Sequence, residues 1–112
     1  MKILSVCRRY VPRESLVLTV LLFSSAHAQA DEAFAKKNGC TACHAMSSKV
    51  MGPAFRDIAS KYADNSEAVD ALSRSIREGG TGRWGAFPMP PQAQLSPVAV
   101  KALATWIATG AK

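Results

Sequence analysis

The sequence predicts an all-α domain of about four short helices joined by loops. Three observations point there. Val69, Leu72 and Ile76, and further on Ala99, Leu103, Trp106 and Ile107, recur at helical spacing, so each set falls on one helix face. Helix-start and helix-stop residues bracket these stretches: Asp64 with Glu67 three residues on, Ser96-Pro97, and the glycines at 79, 80 and 110. No stretch alternates polar and apolar residues over the length of a strand, and no segment repeats.

The chain has 112 residues, room for one domain, and its beginning does not read as part of that domain. Lys2, Arg8, Arg9 and Arg13 form a basic start, and residues 16–23 form an apolar run. Ala26-His27-Ala28 and Ala28-Gln29-Ala30 follow as small-x-small sites. Residues 1–30 are therefore expected to be a cleaved secretory signal peptide, and residues 31–112 the folded domain. The apolar run is far short of the roughly 20 residues that span a bilayer, so no stable membrane insertion is expected. Arg8-Arg9 hints at a twin-arginine signal, but the general secretory route is the preferred reading. Cys7 and His27 fall in the discarded segment. Losing residues 1–30 lowers the formal charge from +6 to +3, too mild to argue for nucleic acid. A charge of that size permits modest steering toward an acidic protein.

The remaining elements follow in order. Asp31-Glu32 suits a helix N-terminus, and Asn38-Gly39 a left-handed stop, giving a helix over 31–39 with Phe34 in the core. After residue 44 comes a loop whose Gly52-Pro53 pair reads as a rigid turn, then a short helix over Ala54–Tyr62. The third helix starts with Asp64 as N-cap and ends at Gly79-Gly80. Residues 79–97 form a long loop that carries Trp84, Phe87 and Met89, too apolar for a disordered linker. Ser96 caps the last helix, with Pro97 in its first turn.

The chemistry sits at Cys40-Thr41-Ala42-Cys43-His44. Two thiols two residues apart, followed at once by an imidazole, form the pattern for covalent attachment of a c-type haem. The thiols add to the two porphyrin vinyl groups, and the adjacent imidazole is held where it can reach the iron. A structural zinc site would need four ligands, and residues 31–112 hold no third cysteine and no second histidine. A thioredoxin-like redox pair would sit near a βαβ pattern, which is missing. A domain of 82 residues is also marginal on apolar burial alone, so haem loading and folding are expected to be linked.

One axial position remains after His44. A lysine would have to lose its proton, whereas a methionine is soft and neutral. Met46 and Met51 lie too close to His44 in sequence to wrap around the ring. Met89 lies 45 residues on, between Pro88 and Pro90-Pro91, which stiffen the backbone around it. Met89 is therefore the expected second ligand, the alternative being that it is core filler.

The whole of residues 31–112 resembles a class I cytochrome c of the short bacterial monohaem type, through Cys-x-x-Cys-His at 40–44, Gly52-Pro53-Ala54, Arg83-Trp84-Gly85 and Pro88-Met89-Pro90-Pro91. The resemblance implies a small cytochrome c fold wrapped round one haem c. It implies that the first and last helices cross, with Phe34 near Trp106. It also implies that the Pro53 carbonyl accepts the proton on the distal ring nitrogen of His44, and that Trp84 hydrogen-bonds a haem propionate. The implied partners are redox proteins: reductases such as haem nitrite reductase or a terminal oxidase, blue-copper proteins and membrane cytochrome complexes. The sequence departs from the family at Ser75, where a basic residue that can pair with a propionate often stands; Arg74 and Arg77 flank it. The resulting expectation is a monomeric, periplasmic one-electron carrier, not an enzyme, with His44 and Met89 on the iron. The alternative is a haem enzyme or gas sensor with an open sixth coordination position, and a weaker one a structural zinc or disulfide module.

Overall fold

The computed structural model describes residues 28–112. The signal-peptide expectation, with Cys7 and His27, falls outside the described residues except for its last three positions. Helix α1 covers Glu32–Lys37, α2 Phe55–Lys61, α3 Ala68–Glu78 and α4 Pro97–Ala108, with one 3₁₀ turn at Cys40–Ala42. Two isolated antiparallel bridges, His44 with Lys49 and Gly80 with Met89, are the only β pairings among the described residues. Among them no helix is long and apolar enough to cross a membrane.

The last helix is the hub. It packs most extensively on α3 and also on α2. Ser96 accepts a hydrogen bond from the Ala99 N–H at 3.2 Å, and Pro97 occupies the first turn, where a missing N–H costs nothing. Its buried face is wider than the predicted stripe. Val100, Ala102, Leu103, Ala104, Trp106 and Ile107 are all buried, whereas Ala99 is only half-buried. Two packed helices and a cleft wall together cover more of the helix than a single neighbour would.

Helix α1 begins as expected, with the Asp31 carboxylate accepting from the Phe34 N–H at 2.7 Å. It ends two residues early, at Lys37, because the Asn38 side chain donates to the Phe34 carbonyl at 2.8 Å and Gly39 turns left-handed at φ 79°. The residue it buries is Ala35; Phe34 is half-buried at the margin of the same cluster. The ring stacked edge-on against Trp106 is Phe55, centroids 5.0 Å apart, and Phe34 packs against the same cluster. The third helix starts at Ala68 rather than near Asp64. Asn65 takes over the local backbone: its side-chain oxygen accepts from the Glu67 N–H at 2.8 Å, and its carbonyl accepts from Ala68. That Asx turn competes with helix and delays its start. The stripe of α3 holds, with Leu72 and Ile76 buried and Val69 half-buried.

Candidate functional site

The turn that carries the two thiols is closed by its own backbone. Gly39 and Cys40 carbonyls accept from Ala42, Cys43 and His44, so Cys40, Cys43 and His44 come off one tight turn. Neither cysteine forms a disulfide, and both are half-buried. Partial burial pushes the Cys40 thiol above its ordinary value, with a backbone hydrogen bond acting the other way. The chain then folds back on itself. Gly52 donates to the Cys43 carbonyl at 2.8 Å and Phe55 to the Ala45 carbonyl at 2.9 Å, laying residues 52–55 alongside 43–45.

That fold-back fixes His44 on three sides. Its Nδ1 lies 2.8 Å from the Pro53 carbonyl oxygen. A carbonyl can only accept, so Nδ1 carries the proton and Nε2 keeps its lone pair. The imidazole stacks on Phe55 at 5.2 Å and 26°, and Phe55 meets Trp106 edge-on. Trp106 in turn donates its indole N–H to the Lys112 carbonyl at 3.0 Å. The third side is Gly52. A Cβ there would lie 2.5 Å from His44 Cε1 and 2.8 Å from Nδ1. The Gly52-Pro53 pair was legible as a rigid turn; that its glycine makes room for the imidazole was not.

Met89 is held by backbone. Its N–H donates to the Gly80 carbonyl at 2.8 Å, and its carbonyl accepts from the Gly80 N–H at 3.0 Å. Gln92 then donates to the Ile76 carbonyl at 3.0 Å, tying the proline-rich segment to the end of α3. Gly79 does more than stop that helix. Its φ of 69° is left-handed, and a Cβ there would run into the Met89 carbonyl. Of the other methionines, Met46 packs on the core cluster and Met51 is exposed at the cleft edge.

These parts surround one cleft, with a cavity volume of ≈ 240 Å³. Cys40, Cys43, His44, Pro53, Trp84 and Met89 all line it, against an apolar wall that includes Phe55, Ile58, Leu72 and Leu103. Trp84 is half-buried, with the Lys61 ammonium 4.3 Å above its ring centroid. The 80s loop also contributes Arg83, whose Nη1 donates to the Tyr62 hydroxyl at 3.0 Å and to Ser75 Oγ at 3.1 Å. No group of three or more His, Cys, Asp or Glu residues gathers among the described residues, which leaves nothing for a four-ligand zinc site. The donor set does fit a c-type haem: two thiols on one turn, an imidazole with a free Nε2 and a thioether, in an apolar cleft open at one side.

Comparison with known proteins agrees. Residues 28–111 match the sequence pattern of the family described as Cytochrome c. The chain is 50% identical over 88 residues to cytochrome c-552 of Nitrosomonas europaea, covering 79% of this chain and 85% of that one. It is 42% identical over 94 residues to cytochrome c-551 of Pseudomonas aeruginosa, covering 83% and 89%. The crystal structure of wild-type Nitrosomonas europaea cytochrome c552 superposes with a TM-score of 0.69, over 71% of this chain and 99% of that one. The chain belongs to the cytochrome c family, and is an electron-transfer protein carrying one haem c on Cys40 and Cys43 rather than an enzyme.

Proposed function

We propose that this chain is a periplasmic one-electron carrier in which His44 and Met89 are the axial ligands of the haem iron. The observation that carries the reading is the joint presence of His44 and Met89 on the wall of one apolar cleft, each restrained by its own device. The bound haem supplies the redox chemistry, its iron alternating between Fe(III) and Fe(II). Everything else is done by the chain. Pro53 fixes the His44 tautomer, leaving Nε2 with the lone pair a metal ligand needs. Gly80 fixes the backbone of Met89, and the thioether contributes a soft, neutral donor that favours Fe(II). Trp84 supplies an indole N–H at the cleft for a propionate oxygen.

Residues 1–30 are proposed as the signal peptide that delivers residues 31–112 to the periplasm, where the mature charge of +3 gives modest attraction to acidic redox partners. Those partners are reductases such as a haem nitrite reductase or terminal oxidase, blue-copper proteins and membrane cytochrome complexes, each met by a monomer. Met89→His and Met89→Ala test the reading. The first is expected to lower the reduction potential by several tenfold steps in the equilibrium, about 59 mV each, with haem still attached. The second is expected to let carbon monoxide bind the reduced protein quickly, and the equivalent change at Met51 to leave ligation alone. A Met89→Ala variant with the wild-type spectrum and potential would make Met89 packing and favour an open-site haem protein.

A further inference from the structure

The geometry points to Arg83 as the counter-ion of a haem propionate, held in place for that task by Tyr62 and Ser75. Among all the described residues that line the cleft, Arg83 is the only Lys, Arg, Asp or Glu. The remaining walls are apolar or neutral, apart from the His44 imidazole. A haem brings two carboxylates into this setting, and a carboxylate beside an apolar wall needs a hydrogen-bonded cation.

The hydrogen bonds of Arg83 define which part of it is available. Nη1 spends both its hydrogens on neutral hydroxyls, Tyr62 at 3.0 Å and Ser75 at 3.1 Å. A guanidinium has five donors in a planar fork, so the Nε and Nη2 edge keeps three. That edge matches a carboxylate in the two-bond manner. Two anchors from different elements, Tyr62 as the C-cap of α2 and Ser75 on α3, restrain a long side chain before it meets its anion. The two groups that accept from the guanidinium are neutral hydroxyls, and Glu78 is the one carboxylate on the small surface pocket it shares with Ser75 and Arg74. Ser75 acts as a rest for a cation supplied from the 80s loop. Arg74 and Arg77 are both exposed on α3, and neither lines the cleft. Arg83 thus binds the cofactor and sets the charge near the iron without ligating it.

The proposal rests on the haem reading, so the test keeps the two separable. Haem-loaded Arg83→Gln, Arg83→Lys, Ser75→Ala and Lys61→Gln are compared by visible spectrum and by reduction potential at one pH and ionic strength. The spectrum is expected to show covalent haem with unchanged ligation in all four; loss of haem or of a ligand from every variant would fault the haem reading instead. Removing the positive charge leaves a propionate uncompensated, which favours Fe(III). Arg83→Gln is therefore expected to shift the Fe(III)/Fe(II) equilibrium several-fold and up to about tenfold toward Fe(III), or up to about 59 mV. Arg83→Lys should recover at least half of that. Ser75→Ala, which loosens one anchor and leaves the loop alone, should shift it in the same direction by less. Lys61→Gln removes an equal charge that sits over Trp84 outside the cleft lining, and should shift it less than twofold. An Arg83→Gln shift no larger than that of Lys61→Gln overturns the proposal. So does an Arg83→Lys variant indistinguishable from Arg83→Gln, which would make the guanidinium a brace for the loop.

Discussion

Two adjacent glycines, identical in chemistry and one bond apart, are expected to respond oppositely to the same substitution. Gly79 has φ 69° and ψ −159°, a region that residues with a Cβ essentially do not occupy, and forcing one there costs about 1–3 kcal/mol. The Cβ would also strike the Met89 carbonyl and crowd the nitrogen of Pro91 at 2.9 Å. Relief requires the Met89 segment to withdraw, and withdrawal breaks the two Gly80–Met89 backbone hydrogen bonds at 2.8 and 3.0 Å. Each such bond is worth about 0.5–1.5 kcal/mol net. Gly79→Ala should therefore destabilise the protein by about 2–6 kcal/mol. Gly80 has ordinary φ, and a Cβ there meets nothing within 4 Å. Gly80→Ala should be neutral or stabilise by up to about 1 kcal/mol, since it mainly restricts the unfolded chain. Guanidinium unfolding of both haem-loaded variants, followed by far-UV circular dichroism, measures the difference. The reduced Gly79→Ala protein should also bind carbon monoxide faster than Gly80→Ala, because the clash displaces the residue proposed as sixth ligand. A stability difference under about 0.5 kcal/mol, the scatter of ordinary surface changes, would refute the reasoning.

Three further outcomes follow from the opposite wall and from α1. Gly52→Ala places a Cβ 2.5 Å from the His44 ring and should cost about 1–3 kcal/mol by overpacking, with a perturbed visible spectrum of the haem protein as its signature. Phe55→Ala removes a residue 3% exposed that carries His44 on one side and Trp106 on the other; a loss of about 3–5 kcal/mol in chemical unfolding is expected. Asn38→Ala deletes the side-chain bond to the Phe34 carbonyl and should lower stability by about 1 kcal/mol, with faster amide exchange confined to the end of α1.

The parts of this molecule that were legible in sequence are those written in local chemistry. Asp31 and Ser96 cap the helices they precede, and Leu72, Ile76, Leu103, Trp106 and Ile107 lie inside as their spacing implies. Cys-x-x-Cys-His needs no tertiary context, because one turn holds all three side chains. Boundaries failed where a short polar side chain captured the backbone, as Asn65 does before α3 and Asn38 does after α1. The wider burial of α4 and the pairing of Trp106 with Phe55 depend on which helices meet, which periodicity within one helix does not encode. Gly52 and Gly79 were visible as turn and stop signals, but what each one clears a path for lies 8 and 10 residues away. Arg83 reaches across 21 residues to Tyr62 and 8 to Ser75, and no spacing rule connects those three.

The two walls of the cleft are stiffened by different means, and the difference follows from the two side chains proposed as ligands. An imidazole is rigid and flat, so it can be fixed through its ring: one hydrogen bond to Pro53 sets its rotation, and Phe55, stacked on it and edge-on to Trp106, carries that restraint into α4. A methionine side chain has three rotatable bonds and only a weak hydrogen-bond acceptor at its sulfur, so no hydrogen bond sets its direction as Pro53 sets that of the imidazole. What the chain itself can fix before any ligand is bound is the main chain from which the sulfur hangs. The structure does this with the Gly80 bridge, with prolines on both sides of Met89, and with the Gln92 bond to α3. A backbone brought so close to α3 requires a residue without a Cβ at the crossing, and Gly79 is that residue. The two glycines that close the third helix are thus the counterpart, on the methionine side, of Pro53 and Gly52 on the histidine side. Both pairs act at the level of main-chain approach. Both restrain through main chain rather than through side-chain tips, which is how this fold holds the two groups it presents to the cleft.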